Sequence, residues 1–198
     1  MKLKHRNLLM FSAIVLAIAV VGSPISIYYT APLVYAGWEK SWVQHGQLSG
    51  AGVPVNTLYT EPNLPFPNST SKSPLLLANN RDVLYTAAVL DLSNGPEVLS
   101  VPNMTGRYYD IEFVDTRGDD FAYLGTRTTG SQAGSYLISG PGWQGTVPSG
   151  MTQIISPDNT VFLIGRVLVE NESDVAAVYS LSTQIHLIPL SSMQKAAG

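Results

Sequence analysis

From Leu75 to Val169 the chain is cut every few residues by Gly, Pro, Asn or Asp, and that punctuation constrains the fold more than any other feature. Between the breaks lie short runs, apolar or alternating, of about five to ten residues, which is strand length. Val83 to Leu92 is apolar on both faces and reads as a buried central strand. Asn94-Gly95-Pro96 turns the chain into Glu97 to Val101. In Tyr108 to Asp115, Tyr109, Ile111 and Phe113 face one way and Asp110 and Glu112 the other. Phe121 to Gly125, Ser135 to Ser139, Met151 to Ile155 and Val161 to Val169 complete the firm strands. The spacing predicts a mainly β domain, either an antiparallel β-sandwich or a barrel-like closure. Two short helices accompany it. Ala31 to His45 carries Val34, Trp38 and Trp42 four apart, a stripe expected in the core. Asn171 to Gln184 is capped by Asn171 or Ser173 and sets Val175, Val178, Leu181 and Ile185 on one face. His186 to Leu190 adds an edge strand ended by Pro189. The Pro-rich stretch Gln47 to Lys72 is irregular, and a loop so long is functional or wraps over an edge.

Lys2, Lys4 and Arg6 precede the uncharged apolar run Leu8 to Val21, and Gly22, Ser23 and Pro24 follow. That order is a signal peptide over residues 1–24, ahead of a single β domain over 25–198. Apolar residues resume at Ile25, Ile27, Tyr28 and Tyr29, so an uncleaved anchor from Leu8 to about Tyr29 fits equally. Either way the body is expected outside the cytoplasm: secreted, periplasmic or anchored at the cell surface, with membrane contact only through the N-terminal segment. Asn68, Asn103 and Asn171 head N-x-S/T sequons and are glycosylation candidates. A net charge of -3 offers no basic field for nucleic acid. The absence of cysteine excludes disulfides, thiolate metal sites and cysteine nucleophiles.

Catalytic groups are scarce. His5, His45 and His186 lie far apart in the sequence, and no G-x-S-x-G, P-loop, H-E-x-x-H or EF-hand pattern occurs, so neither metal nor cofactor is expected. The Gly-rich run Gly125 to Gly134 leads into a strand and lacks the helix end that would hold phosphate. Asp115, Asp119 and Asp120 read as a charged turn, with paired carboxylates or Ca²⁺ ligands as the functional alternative. Asp91 and Arg166 sit inside apolar strands and require partners. Arg166 is expected mostly buried and paired with Asp91, ahead of Asp82 and Asp115.

The run Asn79-Asn80-Arg81-Asp82-Val83-Leu84-Tyr85-Thr86, continuing into Leu90-Asp91-Leu92-Ser93-Asn94-Gly95-Pro96, resembles the R-D-T-L-Y-S … L-D-L-S-x-G-P signature of the DUF1254 family. Gly106-Arg107-Tyr108-Tyr109, Phe121-Ala122-Tyr123-Leu124-Gly125, Arg127-Thr128-Thr129-Gly130, Gly140-Pro141-Gly142-Trp143 and Ile164-Gly165-Arg166 follow in order. The resemblance covers roughly Tyr28 to Ser191, with Val83 where the family usually has Thr. Typical members carry a second, DUF1214 domain after the point reached at Ile188-Pro189-Leu190-Ser191, so a DUF1254 domain standing alone is implied. The resemblance implies a fold and leaves the activity open. Two functions follow as expectations. One is a non-catalytic binding or self-assembling surface domain, with Ser26 to Tyr35 as a strand donated to a neighbouring copy. The other is an enzyme or small-ligand binder whose pocket is floored by Arg81, Asp82, Asp91, Tyr109, Asp115, Arg127 and Arg166.

Overall fold

A computed structural model describes residues 2–44, 52–64 and 82–197. Arg81 and Asn68 lie outside these. Among the described residues the strands are β1 (Tyr59–Thr60), β2 (Val83–Asp91), β3 (Glu97–Val101), β4 (Tyr109–Val114), β5 (Asp120–Gly125), β6 (Gly134–Ser139), β7 (Met151–Ile155), β8 (Thr160–Leu168) and β9 (His186–Pro189). They form a five-stranded sheet in the order β1-β2-β8-β4-β5 and a four-stranded sheet in the order β7-β6-β3-β9. Leu84, Ala88, Leu90, Ile111, Phe113 and Leu163 of the first sheet meet Leu99, Val101, Tyr136 and Ile138 of the second in one core. The architecture is therefore a sandwich, not a barrel. Every pairing is antiparallel except β6 with β7, which is parallel.

The strand β2 is buried along both faces, as its unbroken apolar sequence requires. One face enters the inter-sheet core. The other places Ala87 and Val89 in a second cluster with Val53, Val114 and Phe162 on the outside of the first sheet. Val53 arrives on a strap, residues 52–64, that runs along the β2 edge. Asn56 fastens it. Its main chain is left-handed (φ 58°), its N–H donates to the Val89 carbonyl at 2.8 Å, and its side-chain amide closes both hydrogen bonds on the Asp91 backbone, at 2.7 and 3.1 Å. The described part of the Pro-rich stretch thus wraps an edge, and it contributes the two-residue strand β1.

The helices depart from expectation. A single helix α1 (Lys2–Gln44) runs through both the stretch anticipated as an export segment and the one anticipated as a separate helix from Ala31. Val34 is 69% exposed and not in the core; the side chains of Trp38 and Trp42 lie outside the description. Ser26 to Tyr35 is helical, so apart from the bond that Pro32 cannot donate, its backbone groups are engaged within the helix and are not set out as a donated strand. The segment Val15–Val34, with a mean hydropathy of 1.5, is long and apolar enough to cross a membrane and is uncovered by the rest of the chain. The second expected helix is a 3-10 turn (Glu172–Asp174) leading into α2 (Val175–Ser182), with the Asn171 Oδ1 capping the Ser173 N–H at 3.0 Å. A further helix, α3 (Leu190–Ala197), follows β9 directly.

Candidate functional site

Of the seven residues expected to floor one pocket, Tyr109, Arg127 and Arg166 line one cleft beside β4 and β5, whereas Asp82, Asp91 and Asp115 lie elsewhere. Asp82 is exposed at the head of β2, and Arg81 lies outside the described residues. Tyr109 is fully buried in the inter-sheet core, where its hydroxyl donates to the Gly130 carbonyl at 3.1 Å and burial raises its pKa. Asp115 closes its own turn: its Oδ1 accepts from the N–H groups of Arg117 and Asp119 at 2.8 and 3.0 Å. The carboxylate anticipated as a Ca²⁺ ligand is committed to backbone. Asn103 and Asn171 are exposed, and each folds its Oδ1 back onto the hydroxyl residue of its own sequon.

Arg166 is where sequence reasoning erred most usefully. Its strand and face are as predicted, but the face is the outer one, and the side chain retains 29% exposure. The expected Asp91 partner stands opposite Thr160, six positions along β8 from Arg166, or about 20 Å at about 3.3 Å per residue. The partners are instead on the adjacent strand. Asp110 pairs in register with Arg166 and Glu112 with Ile164, so both carboxylates rise beside the guanidinium. Arg166 Nη1 donates to Asp110 Oδ1 at 2.9 Å and to Glu112 Oε2 at 3.0 Å, and Nη2 donates to Glu112 Oε1 at 2.8 Å. Burial works against the charged guanidinium, but Glu112 and then Asp110 outweigh it and hold its pKa above the ordinary value. A cleft of about 240 Å³ opens here, lined also by Tyr108, Tyr109, Tyr123 and Arg127. Arg127 lies over the Tyr108 ring at 5.6 Å, and the Tyr123 hydroxyl donates to Asp120, which pushes its pKa up to about 12. Arg166, Asp110 and Glu112 answer one another, and among the described residues the Arg127 guanidinium meets the Tyr108 ring alone.

A larger cleft, about 720 Å³, lies at the end of the sandwich and was not anticipated. It is lined by Asn56, Asp91, Asn94, Glu97, Trp143 and Gln194, among others. Glu97 starts β3 with the side-chain parity of Leu99 and Val101, so it points between the sheets. It is 3% exposed, and its Oε2 has no hydrogen-bond partner among the described residues. Burial pushes its pKa up to about 7. The reasoning that singled out Arg166, a charge within an apolar strand, applies equally to Glu97 in Glu97-Val98-Leu99-Ser100-Val101 and would have found it. Asp91 reaches this cleft through the Leu90 to Pro96 turn, where its Oδ1 accepts from the Ser93 N–H at 3.0 Å. Trp143 packs against Val98, Leu137 and Leu190. Gly145 permits this, because a Cβ there would stand 2.2 Å from the indole Cζ2.

The class of protein is thereby fixed as a two-sheet β-sandwich with a polar end cleft and, among the described residues, no cluster of His, Asp or Glu able to hold a metal. The chain belongs to the family described as "Protein of unknown function (DUF1254)", whose model matches residues 55–189. Among solved structures it is similar to the VPA0106 protein from Vibrio parahaemolyticus, with 23% identity and a TM-score of 0.64 over 84% of this chain. At that identity the likeness is one of fold. The match covers 38% of the Vibrio chain, so this sequence spans about two fifths of that protein's length. An uncharacterised protein from Burkholderia cenocepacia also matches, at 11% identity and a TM-score of 0.44, over 80% of this chain and 39% of its own. No curated protein matches.

Most residues that carry the family resemblance build scaffold. Arg107 forks onto Asp174 at 2.6 and 2.9 Å and donates to the Leu168 carbonyl, joining the β4 approach to the turn before α2. The Gly125 carbonyl accepts from the N–H groups of Thr128, Thr129 and Gly130, which rolls the Arg127-Thr128-Thr129-Gly130 turn into place under the Tyr109 hydroxyl.

Proposed function

We propose that the chain is an exported, non-catalytic binding domain whose ligand occupies the end cleft of the sandwich. The observation that carries this reading is Glu97. A carboxyl group with one oxygen sealed from donors costs stability wherever it stands. Glu97 stands at the wall of the larger, unsatisfied cleft, whereas the Arg166 cleft is internally neutralised. The enzyme reading asked Arg81, Asp82, Asp91, Tyr109, Asp115, Arg127 and Arg166 to converge, and of the described ones Tyr109, Arg127 and Arg166 share a cleft while Asp82, Asp91 and Asp115 stand apart from it. Export is favoured by the basic residues Lys2, Lys4 and Arg6 ahead of the uncovered apolar segment, an arrangement that leaves the N-terminus inside and the body outside. Self-assembly by donation of Ser26 to Tyr35 loses its support with that segment helical.

The test uses the full chain in zwitterionic micelles. Thermal melts are recorded with millimolar uncharged, cationic and anionic small molecules, and any stabiliser is re-tested on Asn94→Trp and Ser191→Trp, exposed rim positions where an indole fills the cleft. Stabilisation lost in both variants is the expected result. If no class stabilises the chain, or if the rim variants respond like the parent, the binding reading fails. Export is checked separately: protease added outside intact cells should cut the body, and full protection would refute it.

A further inference from the structure

The end cleft does not stand alone. A second cleft, about 490 Å³, runs between β1 and the α2–β9 side of the molecule and shares Asn56 with the first. Tyr59 and Tyr179 line it. The two together follow the open side of the sandwich, from Tyr179 past Asn56 to Trp143. A groove of that course accommodates a chain of linked units better than one compact molecule.

Its chemistry narrows the occupant. No Lys, Arg or His lines the Glu97 cleft, so an anion would enter without a counter-charge. Its polar side chains are amides, hydroxyls and carboxyls, with Asn94, Thr146, Ser191 and Gln194 at the rim, beside the apolar Trp143, Leu190 and two prolines. Such groups donate and accept in pairs, as neighbouring hydroxyls of a ligand do. Trp143 is held by its apolar neighbours and by the missing Cβ of Gly145. A fixed indole offers a flat apolar face beside a polar one. A cationic ligand would fit an ionised Glu97, but burial favours the neutral carboxyl up to about pH 7. A neutral carboxyl can both donate and accept, which suits a hydroxyl partner.

We infer that the joined groove binds an uncharged oligosaccharide, with Trp143 stacking on one sugar ring and Glu97, Asp91 and Asn94 bonding to hydroxyls of the same stretch. The inference rests on the end cleft being the binding site and adds the class of ligand.

Calorimetric titration of the full chain in zwitterionic, sugar-free micelles tests it. The probes are uncharged hexasaccharides of β-1,4-glucan, β-1,3-glucan, β-1,4-mannan and α-1,4-glucan, with spermidine as a cation and a polygalacturonate hexamer as an anion. At least one neutral hexasaccharide is expected to bind, with Kd in the range of about 10 μM to 1 mM, and its disaccharide at least about tenfold more weakly because it leaves the second cleft empty. Trp143→Ala should weaken binding by about tenfold or more. Because Trp143 also supports the core, Asn94→Ala is the companion variant: it should keep the parent melting temperature and lose about threefold to tenfold in affinity. Two results overturn the inference. If spermidine or the anion binds, is lost in Asn94→Ala, and no neutral hexasaccharide binds, the cleft is a binding site for another class. If nothing binds, the inference falls together with the binding reading beneath it.

Discussion

Replacing Glu97 by Gln isolates the cost of the buried carboxyl. Unfolded, a glutamate titrates at about 4.3; folded, burial raises this one to about 7. Between those values the folded chain holds a proton that the unfolded chain releases, so stability falls as pH rises through the window and levels off above pH 7. The span of about 2.7 units, at about 1.4 kcal/mol per unit, amounts to about 4 kcal/mol in all, of which about 3 kcal/mol is lost between pH 4.5 and pH 8. Glutamine cannot ionise, so the variant escapes that loss. Its extra amide donors impose an offset of their own, but that offset does not change with pH and cancels when each protein is compared with itself. For a chain of this length, about 3 kcal/mol corresponds to about 6–12 °C in Tm. The assay is thermal unfolding of parent and Glu97→Gln at half-unit steps from pH 4.5 to pH 8. The variant should gain on the parent across the series, with the steepest change between pH 5 and 7. Parallel curves would refute the reasoning, since they would mean that Glu97 ionises freely, in contact with water or an unrecognised donor.

Arg166→Met should cost about 2–3 kcal/mol by chemical denaturation, between an exposed pair and a buried one, because Asp110 and Glu112 are only 24% and 15% exposed; Asp110→Asn and Glu112→Gln added together should recover much of it, and an additive triple mutant would exclude the triad. Gly125→Ala should cost about 3 kcal/mol or more, read as a Tm fall, since the residue has φ 145° and the new Cβ would sit 2.5 Å from the Tyr109 carbonyl oxygen; a near-normal melt would mean the turn re-forms elsewhere. Asp174, held low by its hydrogen bonds from Arg107 and from the Glu170 N–H, contributes stability above its unfolded pKa of about 3.9 that is lost as pH falls through its lower folded value. Asp174→Asn should therefore be less stable than the parent at a constant margin from pH 5 to 8, the margin shrinking below about pH 4; a margin unchanged down to pH 2 would show that charge plays no part.

The strands were legible because each is a local statement. Alternation in Tyr109 to Val114 and the unbroken apolar run of β2 report which faces are covered without reference to any partner. What joins strands is not local. Arg166 needed an acceptor, and nothing in the sequence says that β4 rather than the Asp91 end of β2 lies beside it at that level. The register supplies Asp110 and Glu112, residues already read as the polar face of their strand. Glu97 stands directly after the Asn94-Gly95-Pro96 turn, yet the parity of Leu99 and Val101 carries it inward. Asn56 was illegible for a different reason. An asparagine in a Pro-rich stretch gives no sign that its amide will stand in for a strand's backbone. The N-terminal apolar run and Ala31 to Gln44 form one helix because Pro24 and Pro32 are accommodated within α1 rather than breaking it.

The pairing of β2 with β8 joins Val83 to Leu168 and Asp91 to Thr160. The strand that seats the central one is therefore made early, and its partner late. Until Leu168 is available, β2 has one face without a sheet and a row of open backbone groups, together with the apolar composition that favours association with other chains. A chain made or threaded from its N-terminal end passes through that condition. Closure of the sandwich awaits nearly the whole domain, and loop-closure entropy makes such long-range pairing slow. The topology thus sets a timetable: the chain is most vulnerable to aggregation and proteolysis between the arrival of Asp91 and that of Leu168.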